Sequence, residues 1–300
     1  MSDGSARLYN RPEFEATDIG AADHGDVARA LSLFERVRNI NAVRKLGILV
    51  GLVVLWELYT KFGGVSELIL PPFSSTGAAL VQAIWTESLL VMIGNSITIL
   101  LAGYVIGIFI ATVLTTLAVT SRFGSDLLGT LTAMLNPLPA IALLPMALLW
   151  FGLGPDAIVF TLLHSVVWPV ALNMHTGFLG VSDTQRMVGR NYGLSGLKYV
   201  VKILIPAAFP SILTGLRIGW AYSWRTLIAA ELVFGGSIVD TEGTSSGGLG
   251  WFIFANQMDL RIPYVFAGLF SVIVVGVVVE NVVFRNLEER TVARWGMRLQ

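Results

Sequence analysis

The chain has 300 residues, of which 54% are apolar and 13% charged, with a formal net charge of zero and no cysteine. Soluble domains carry about 25% charged residues, so this deficit predicts a protein of the lipid bilayer. The absence of cysteine excludes disulfide scaffolds, thiolate metal sites and thiol nucleophiles. The charges are balanced and scattered, which argues against nucleic acid as a partner.

The N-terminal region is predicted to be a cytoplasmic tail over residues 1–42. Residues 1–45 hold 14 of the 40 charged side chains and lack the apolar segment of a cleavable signal peptide. We expect this tail to be partly disordered, with an amphipathic helix near Val27 to Arg38.

Apolar runs of about 20 residues, the length needed to cross a bilayer, occur six times. We therefore predict an all-α membrane protein with six transmembrane helices in a domain over residues 43–284, followed by a cytoplasmic C-terminal tail over 285–300. The predicted spans are Val43 to Phe62, Leu89 to Val119, Leu127 to Phe151, Asp156 to Leu179, Phe209 to Phe234 and Ile262 to Phe284.

The distribution of lysine and arginine predicts the orientation of these spans, because positively charged loops stay in the cytoplasm. With the N-terminus inside, the cytoplasmic segments hold sixteen of these residues and the outer loops hold only Lys61 and Arg261. Both termini are therefore expected to be cytoplasmic.

Small residues recur at four-residue intervals in the second and fifth spans, at Gly103, Gly107, Ala111 and Thr115 and at Gly215, Gly219 and Ser223. This spacing places each set on one helix face, where two backbones can approach closely. We interpret both sets as helix-packing faces.

The third predicted span contains the run Asn136-Pro137-Leu138-Pro139, followed by Pro145. Each proline lacks a helical N–H and disturbs the carbonyl four residues earlier, here those of Ala133, Leu135 and Ile141. Two interpretations stay open. Either the freed carbonyls line a path for a solute, or neighbouring helices satisfy a simple kink.

Polar side chains inside the spans are candidates for the lining of a translocation path, namely Asn136, His164, Trp168, His175, Tyr222, Arg225 and Glu231. His164 and His175 are about 16 Å apart along a helix axis, which excludes a shared metal ion. Burial with hydrogen bonds is the alternative for both histidines.

Arg225 lies near the centre of the fifth span, where a charge costs about 2.5 to 3.5 kcal/mol unless it faces protein or water. One interpretation is contact with an anionic solute. The other is an ion pair with Glu231, Glu57 or Glu280. Arg217 lies nearer the predicted cytoplasmic side and is expected either to snorkel towards that side or to brace helix ends.

The cytoplasmic loop between the fourth and fifth spans covers residues 182–206. Ser182 and Gln185 have the spacing of a capping box, and Gly193 is a typical C-terminal stop, so a short helix is predicted between them. A second helix, capped by Ser195, is expected to end before Pro206.

The short loop helix carries apolar side chains that require a cover, at Met187, Val188 and Tyr192. An apolar patch on the cytosolic side of a membrane protein is typical of a binding surface. We interpret it as the site where a partner protein binds.

This loop resembles that of the permease subunits of bacterial binding-protein-dependent ABC importers, whose motif runs Glu-Ala-Ala, three residues, Gly, nine residues, Ile, one residue, Leu-Pro. Gly193, Ile203 and Ile205-Pro206 lie at the corresponding positions. Met187, Val188 and Gly189 lie at Glu-Ala-Ala, so the acidic residue is absent. By this resemblance the coupling residues are Arg186, Met187, Val188, Gly189, Arg190, Tyr192, Gly193 and Pro206.

The resemblance covers about residues 46–290 and is closest to the nitrate, sulfonate and taurine branch of these permeases. The residues that carry it are Leu70-Pro71-Pro72-Phe73, Pro137-Leu138-Pro139-Ala140, Pro145, Trp150-Phe151-Gly152-Leu153-Gly154, Leu213-Thr214-Gly215-Leu216-Arg217, Trp224-Arg225, Ala229-Ala230-Glu231 and Gly248-Leu249-Gly250.

The resemblance implies a multi-pass permease of the bacterial inner membrane, part of an ATP-driven importer. Such an importer moves a small anion of the nitrate, sulfonate, taurine, carboxylate or bicarbonate type by alternating access. The implied partners are two P-loop ATPase subunits that hold ATP and Mg, a second, identical permease chain and a periplasmic solute-binding protein. The chain has no G-x-x-x-x-G-K-[ST] phosphate loop, so we expect no enzyme activity and no bound cofactor.

Two other classes of protein are weighed against this one. A secondary transporter or channel driven by an ion gradient would show internal repeats and intramembrane carboxylates, and no repeat relates residues 43–151 to 156–284. A membrane enzyme would use His164, His175 and Asp156, but no H-E-x-x-H or comparable constellation occurs.

Overall fold

A computed structural model of the chain describes residues 41–234 and 247–294, which are helical almost throughout. The chain divides into two units, Met1–Leu55 and Trp56–Gln300. In the first unit the description covers only the start of the first helix, so the predicted tail and its amphipathic segment Val27 to Arg38 lie outside the described residues.

The described residues form ten α-helices and one 3₁₀ turn, Ala140–Leu143. The helices are α1 Asn41–Phe62, α2 Phe73–Thr86, α3 Leu89–Thr120, α4 Arg122–Leu135, α5 Leu144–Phe151, α6 Pro155–Leu179, α7 Asp183–Asn191, α8 Gly196–Phe234, α9 Leu249–Met258 and α10 Ile262–Arg290.

Four of these helices, α3, α6, α8 and α10, are long and apolar enough to cross a membrane. A fifth crossing is added if α4 and Ala140–Phe151, which are bent by 88°, form one span. The all-α membrane fold is thus confirmed. The count of six spans stays a prediction, because α1, with Arg44, Lys45, Glu57 and Lys61 on its 22 residues, is not among these candidates.

The centre of the second unit is α6, of which 67% of the apolar window is buried, compared with 28% for α3. The predicted packing faces explain this position. A Cβ at Gly103 would lie 2.7 Å from the Cβ of Leu162, and one at Gly215 would lie 2.8 Å from the Cβ of Asn173. Both small-residue faces therefore pack on α6, and the helix-packing interpretation is confirmed.

The predicted end of the second loop helix before Pro206 is wrong. The helix that starts at Gly196 continues as α8 to Phe234. Just before the proline, the backbone widens into a π turn over Val200–Leu204, in which the Ile205 N–H bonds to the Val200 carbonyl. Extra room within the helix is a known way to accommodate the missing N–H and the ring of a proline.

Of the two alternatives predicted for Arg217, the structure shows a brace, which joins α8 to α10. The Arg217 Nη2 atom lies 2.7 Å from Glu288, and its Nε atom lies 3.3 Å from Glu280. Glu288 lies in the part of α10 that continues past Phe284, the predicted end of the last span.

Two side-chain contacts join the end of α1 to the start of α2 within the second unit. The Trp56 Nε1 atom donates a hydrogen bond to the Pro71 carbonyl at 3.1 Å. The Glu57 carboxylate accepts hydrogen bonds from the Ser74 amide at 3.0 Å and the Ser74 hydroxyl at 2.8 Å. A carboxylate at the first turn of a helix stabilises its free N–H groups.

Candidate functional site

A cavity of about 380 Å³ lies where the chain breaks between α4 and the 3₁₀ turn. Residues 136–141 form one wall, α6 forms the second and α8 the third. The polar residues of the lining are Asn136, His164, Ser165, Trp168, Tyr222, Arg225 and Thr226. The structure therefore brings together five of the seven residues predicted for the path.

The prolines set the shape of this wall, because they end α4 and turn the chain by 88°. Two of the three carbonyls predicted to be free are paired locally. The Leu135 carbonyl accepts the Leu138 N–H at 3.1 Å, and the Ile141 carbonyl accepts the Leu144 N–H. The sharp bend, rather than a row of free carbonyls, is what the prolines contribute.

The cavity is rich in hydrogen-bond donors and contains no carboxylate among its lining residues. The Nε2 atom of His164 and the Nε1 atom of Trp168 are buried without a hydrogen-bond partner. Arg225 is exposed, and it forms no ion pair with a described carboxylate. A cation without a carboxylate partner at this cavity favours an anion over a cation as the solute.

None of the three acidic residues proposed as partners of Arg225 pairs with it. Glu57 pairs with Lys61 at 2.7 Å, and Glu280 with Arg217 at 3.3 Å. Glu231 accepts hydrogen bonds from Ser96 and from the backbone of α9. The ion-pair interpretation of Arg225 therefore fails for these candidates.

Two of the residues predicted for the path lie elsewhere. Glu231 is buried at the junction of α3, α8 and α9, and is 1% exposed. His175 lies on α6 outside the cavity lining. Helical geometry explains both positions. Glu231 lies on a different face of α8 from the cavity residue Ala229, and His175 lies on a different face of α6 from the cavity residue Pro169.

Ser165 and Thr226 are cavity residues that the sequence analysis missed. Their hydroxyl oxygens are 2.9 Å apart and join α6 to α8. The available signal was helical spacing, because Thr226 lies one turn after Tyr222, and Ala229 lies one turn after Arg225.

The predicted loop helix is present as α7. The Ser182 hydroxyl accepts the Gln185 N–H at 3.4 Å and lies 3.2 Å from the Gln185 side-chain oxygen, which confirms the cap. At the other end Gly193 has φ +67°, and the Leu194 N–H bonds to the Gly189 carbonyl at 3.0 Å. This left-handed glycine and long return bond are typical of a Schellman C-cap.

The apolar side chains predicted to need a cover are exposed on α7, with Met187 55%, Val188 44% and Tyr192 80% exposed. Gly189 is buried, since a Cβ there would lie 2.9 Å from the Tyr199 ring. A groove of about 250 Å³ between α7 and α8 is lined by Thr184, Gln185, Val188, Lys202, Ile203, Pro206 and Ala207. Pro206 therefore lies on the α8 side of this groove.

Arg186 is directed inwards and away from the exposed side chains of α7. Its guanidinium donates hydrogen bonds to the carbonyls of Phe178 at 2.6 Å and Val181 at 3.0 Å. It therefore caps the C-terminal end of α6. Arg190, by contrast, is exposed on α7.

Comparison with known proteins agrees with this architecture. The family described as the inner membrane component of binding-protein-dependent transport systems matches residues 103–292. The chain belongs to this family. The match covers α6, α7, α8 and α10 and thus contains the cavity and the loop helix.

Three relatives place the chain in the nitrate, sulfonate and taurine branch of ABC permeases. It is 29% identical to a protein of Escherichia coli named for aliphatic sulfonates transport, over 82% of this chain and 89% of that one. It is 30% identical to a nitrate import permease protein of Synechocystis, over 77% and 82%. It is 26% identical to a taurine transport system permease protein of Escherichia coli, over 78% and 84%.

Proposed function

We propose that this chain is the permease subunit of an ATP-driven importer, and that the cavity around Arg225 forms its part of the path for a small anion. The observation that carries the choice of an anion is the lining of the cavity, which holds Arg225, an exposed cation without an ion-pair partner among the described residues, and no carboxylate. The relatives named for nitrate, sulfonates and taurine support the same class of solute. Carboxylates and bicarbonate have the same charge and remain within the proposal.

The path is proposed to be completed by a second, identical chain. Asn136, Tyr222 and Arg225 are exposed at the open side of the cavity in the single chain. Exposed polar groups, among them a cation, in the apolar part of a membrane protein need a protein or water-filled surround. A second cavity facing the first supplies that surround, and tilting of the two chains would open it to alternate sides.

The energy source is proposed to be a pair of P-loop ATPase subunits, which hold ATP and Mg and bind α7. The exposed Met187, Val188 and Tyr192 form an apolar contact that fits a groove on a partner. A periplasmic solute-binding protein is proposed to deliver the anion to the opposite side.

We place α7 and both termini in the cytoplasm, with six spans in total. This count takes α1 as the first span and the bent pair Arg122–Leu135 and Ala140–Phe151 as the third. The natural chain has no cysteine, so single cysteines at Ser66 and Tyr192 report the two sides in intact cells. A membrane-impermeant maleimide should label Ser66→Cys and not Tyr192→Cys.

The test of function is uptake into proteoliposomes that hold the chain with its co-purified ATPase and binding protein. Labelled nitrate, taurine and an alkanesulfonate are supplied with ATP inside. Arg225→Ala should abolish uptake and Arg225→Lys should retain part of it, since only the charge is kept. Arg122→Ala, which removes an exposed arginine at the start of α4, is the matched control.

Two results would contradict the proposal. Wild-type uptake by Arg225→Ala would remove this arginine from the path. Uptake that proceeds without ATP and collapses with the ion gradient would favour the secondary transporter.

A further inference from the structure

A carboxylate is buried beside the start of α9, and it does not line the cavity. Glu231 is 1% exposed, and the Ser96 hydroxyl donates to its two oxygens at 2.7 and 2.9 Å. The Gly250 N–H donates to the same carboxylate at 2.8 Å. Among the described lysines and arginines, none forms an ion pair with Glu231.

The hydroxyl of Ser96 completes this arrangement from α3. It accepts the Leu249 N–H at 2.8 Å while it donates to Glu231. The first two N–H groups of α9 are therefore satisfied by side chains of two other helices. Acceptor oxygens at the N-terminus of α9 are favourable because the first N–H groups of a helix have no partner within it.

The two glycines that flank Leu249 make this approach possible. A Cβ at Gly250 would lie 2.6 Å from the Glu231 Cβ, and a Cβ at Gly248 would collide with the Glu231 carboxylate. At Gly250 a side chain would also lie 2.7 Å from the Ile228 carbonyl oxygen, so that α8 or α9 would have to move, whereas at Gly248 it would displace the Glu231 carboxylate from its present position.

The other end of α9 is held by a contact with the end of α2. Arg261, which follows α9, forms an ion pair with Glu87, the C-cap residue of α2, and its guanidinium lies 3.8 Å from the centre of the Tyr264 ring. The start of α9 is therefore held by Ser96 of α3, and the residue that follows its end is held by the C-cap of α2.

Glu231 also shares α8 with Arg225. The two residues are separated by about 9 Å along the helix axis and lie on different faces, because six residues correspond to about 600° of rotation. One face of α8 lines the cavity, and another holds the start of α9. A movement of α8 is thereby transmitted to α9 as long as the Glu231 contacts persist.

We propose that Glu231 and Ser96 are positioning residues that pin the N-terminus of α9 to α3 and α8, so that α9 moves with the wall of the cavity. The part of this proposal that concerns transport rests on the proposed function. The position of α9 itself does not.

The test measures the position of α9 separately from transport. Ile253 on α9 is 3% exposed and packs against Gly268, so a cysteine at 253 in the cysteine-free chain is protected while α9 is in place. The complex is reconstituted in nanodiscs and treated with a maleimide. Glu231→Ala and Ser96→Ala are each expected to raise the labelling rate of Ile253→Cys about tenfold, because each leaves a buried N–H group at the start of α9 without its partner.

Ser223→Ala is the matched control, because it removes a buried hydroxyl that bonds only to the Trp220 carbonyl of its own helix. It should leave the labelling rate unchanged. Labelling of Ser96→Ala and Glu231→Ala at the wild-type rate would overturn the proposal.

Uptake then tests the link to transport. Ser96→Ala should lower the maximal rate of uptake, because α9 follows the cavity wall less closely, and leave the half-saturating solute concentration unchanged. Raised labelling with wild-type uptake would overturn the link of α9 to the cavity wall. Absence of ATP-driven uptake in the unmodified complex would instead contradict the proposed function, and the labelling result would stand.

Discussion

Gly107 of α3 lies directly against Val166 of α6, so that a Cβ added at residue 107 would be 2.7 Å from the Val166 Cβ. Gly219 of α8 approaches the same helix from another side, where a Cβ would lie 3.0 Å from a methyl group of Val170. The position of α6 between these helices, and with it one wall of the cavity, depends on the absence of side chains at both glycines.

Gly107→Ala is therefore expected to destabilise the protein, because the added methyl group must displace α3 or α6. Overpacking of this kind costs about 1 to 3 kcal/mol. The measurement is the thermal unfolding temperature of the purified protein in detergent. Gly94→Ala on the same helix is the control, since nothing lies within 4 Å of its added Cβ. Equal unfolding temperatures for the two variants would show that α3 and α6 have room to separate.

Trp168→Phe should weaken solute binding. An aromatic ring is kept at residue 168, so the shape of the cavity should change little. The substitution removes the buried Nε1–H that has no partner in the protein, and a hydrogen bond from it to an anion is worth about 1.5 to 3 kcal/mol. We expect the half-saturating concentration for uptake to rise about tenfold or more. Trp85→Phe, at a side chain that is 82% exposed, should have no such effect. A wild-type value for Trp168→Phe would remove this N–H from the path.

Val188→Asp should leave the chain in the membrane but separate ATP hydrolysis from transport. Val188 is 44% exposed on α7, so the carboxylate does not disturb a core, but it adds a charge to the apolar contact proposed for the ATPase. The measurements are co-purification of the ATPase and the ratio of uptake to ATP hydrolysis.

Ser121→Asp is the control for that variant. It introduces the same carboxylate on the loop before α4, where Ser121 is the N-cap and accepts the Gly124 N–H at 3.0 Å. Aspartate is as good an N-cap as serine, so coupling should persist. Normal coupling in Val188→Asp would place the ATPase elsewhere on the chain.

Arg217→Met should lower the unfolding temperature, because it removes the contacts of α8 with Glu280 and Glu288 on α10. The side chain is 31% exposed, so we expect a loss of about 1 kcal/mol, near the upper end for a solvent-exposed ion pair. Arg217→Glu combined with Glu288→Arg should recover part of the loss, as a double-mutant cycle measures. If the reversed pair is no more stable than Arg217→Glu alone, the brace makes no electrostatic contribution.

Much of the local structure could be predicted from the sequence because the signals are themselves local. The cap at Ser182 and the stop at Gly193 depend on backbone groups within a few residues, and both are confirmed. The four-residue spacing of Gly103 and Gly107 indicated a packing face for a similar reason, since helical geometry relates those positions.

Pro206 shows where a local rule was insufficient. The absence of an N–H predicts a break in the helix, yet the π turn over Val200–Leu204 allows α8 to continue. Whether a helix breaks or widens at a proline depends on the packing on both sides of it. Here Leu204 is fully buried, so continuation of the helix keeps it in the core.

The sequence by itself determined that this is a helical membrane protein, which stretches are apolar, and where the capped loop helix lies, because these follow from composition and helical period. Only the tertiary structure decided that Arg225 faces a cavity while Glu231, six residues later on the same helix, is buried against Ser96 and the start of α9. Helical period separates such residues onto different faces, but which neighbour occupies each face depends on contacts between residues more than a hundred positions apart.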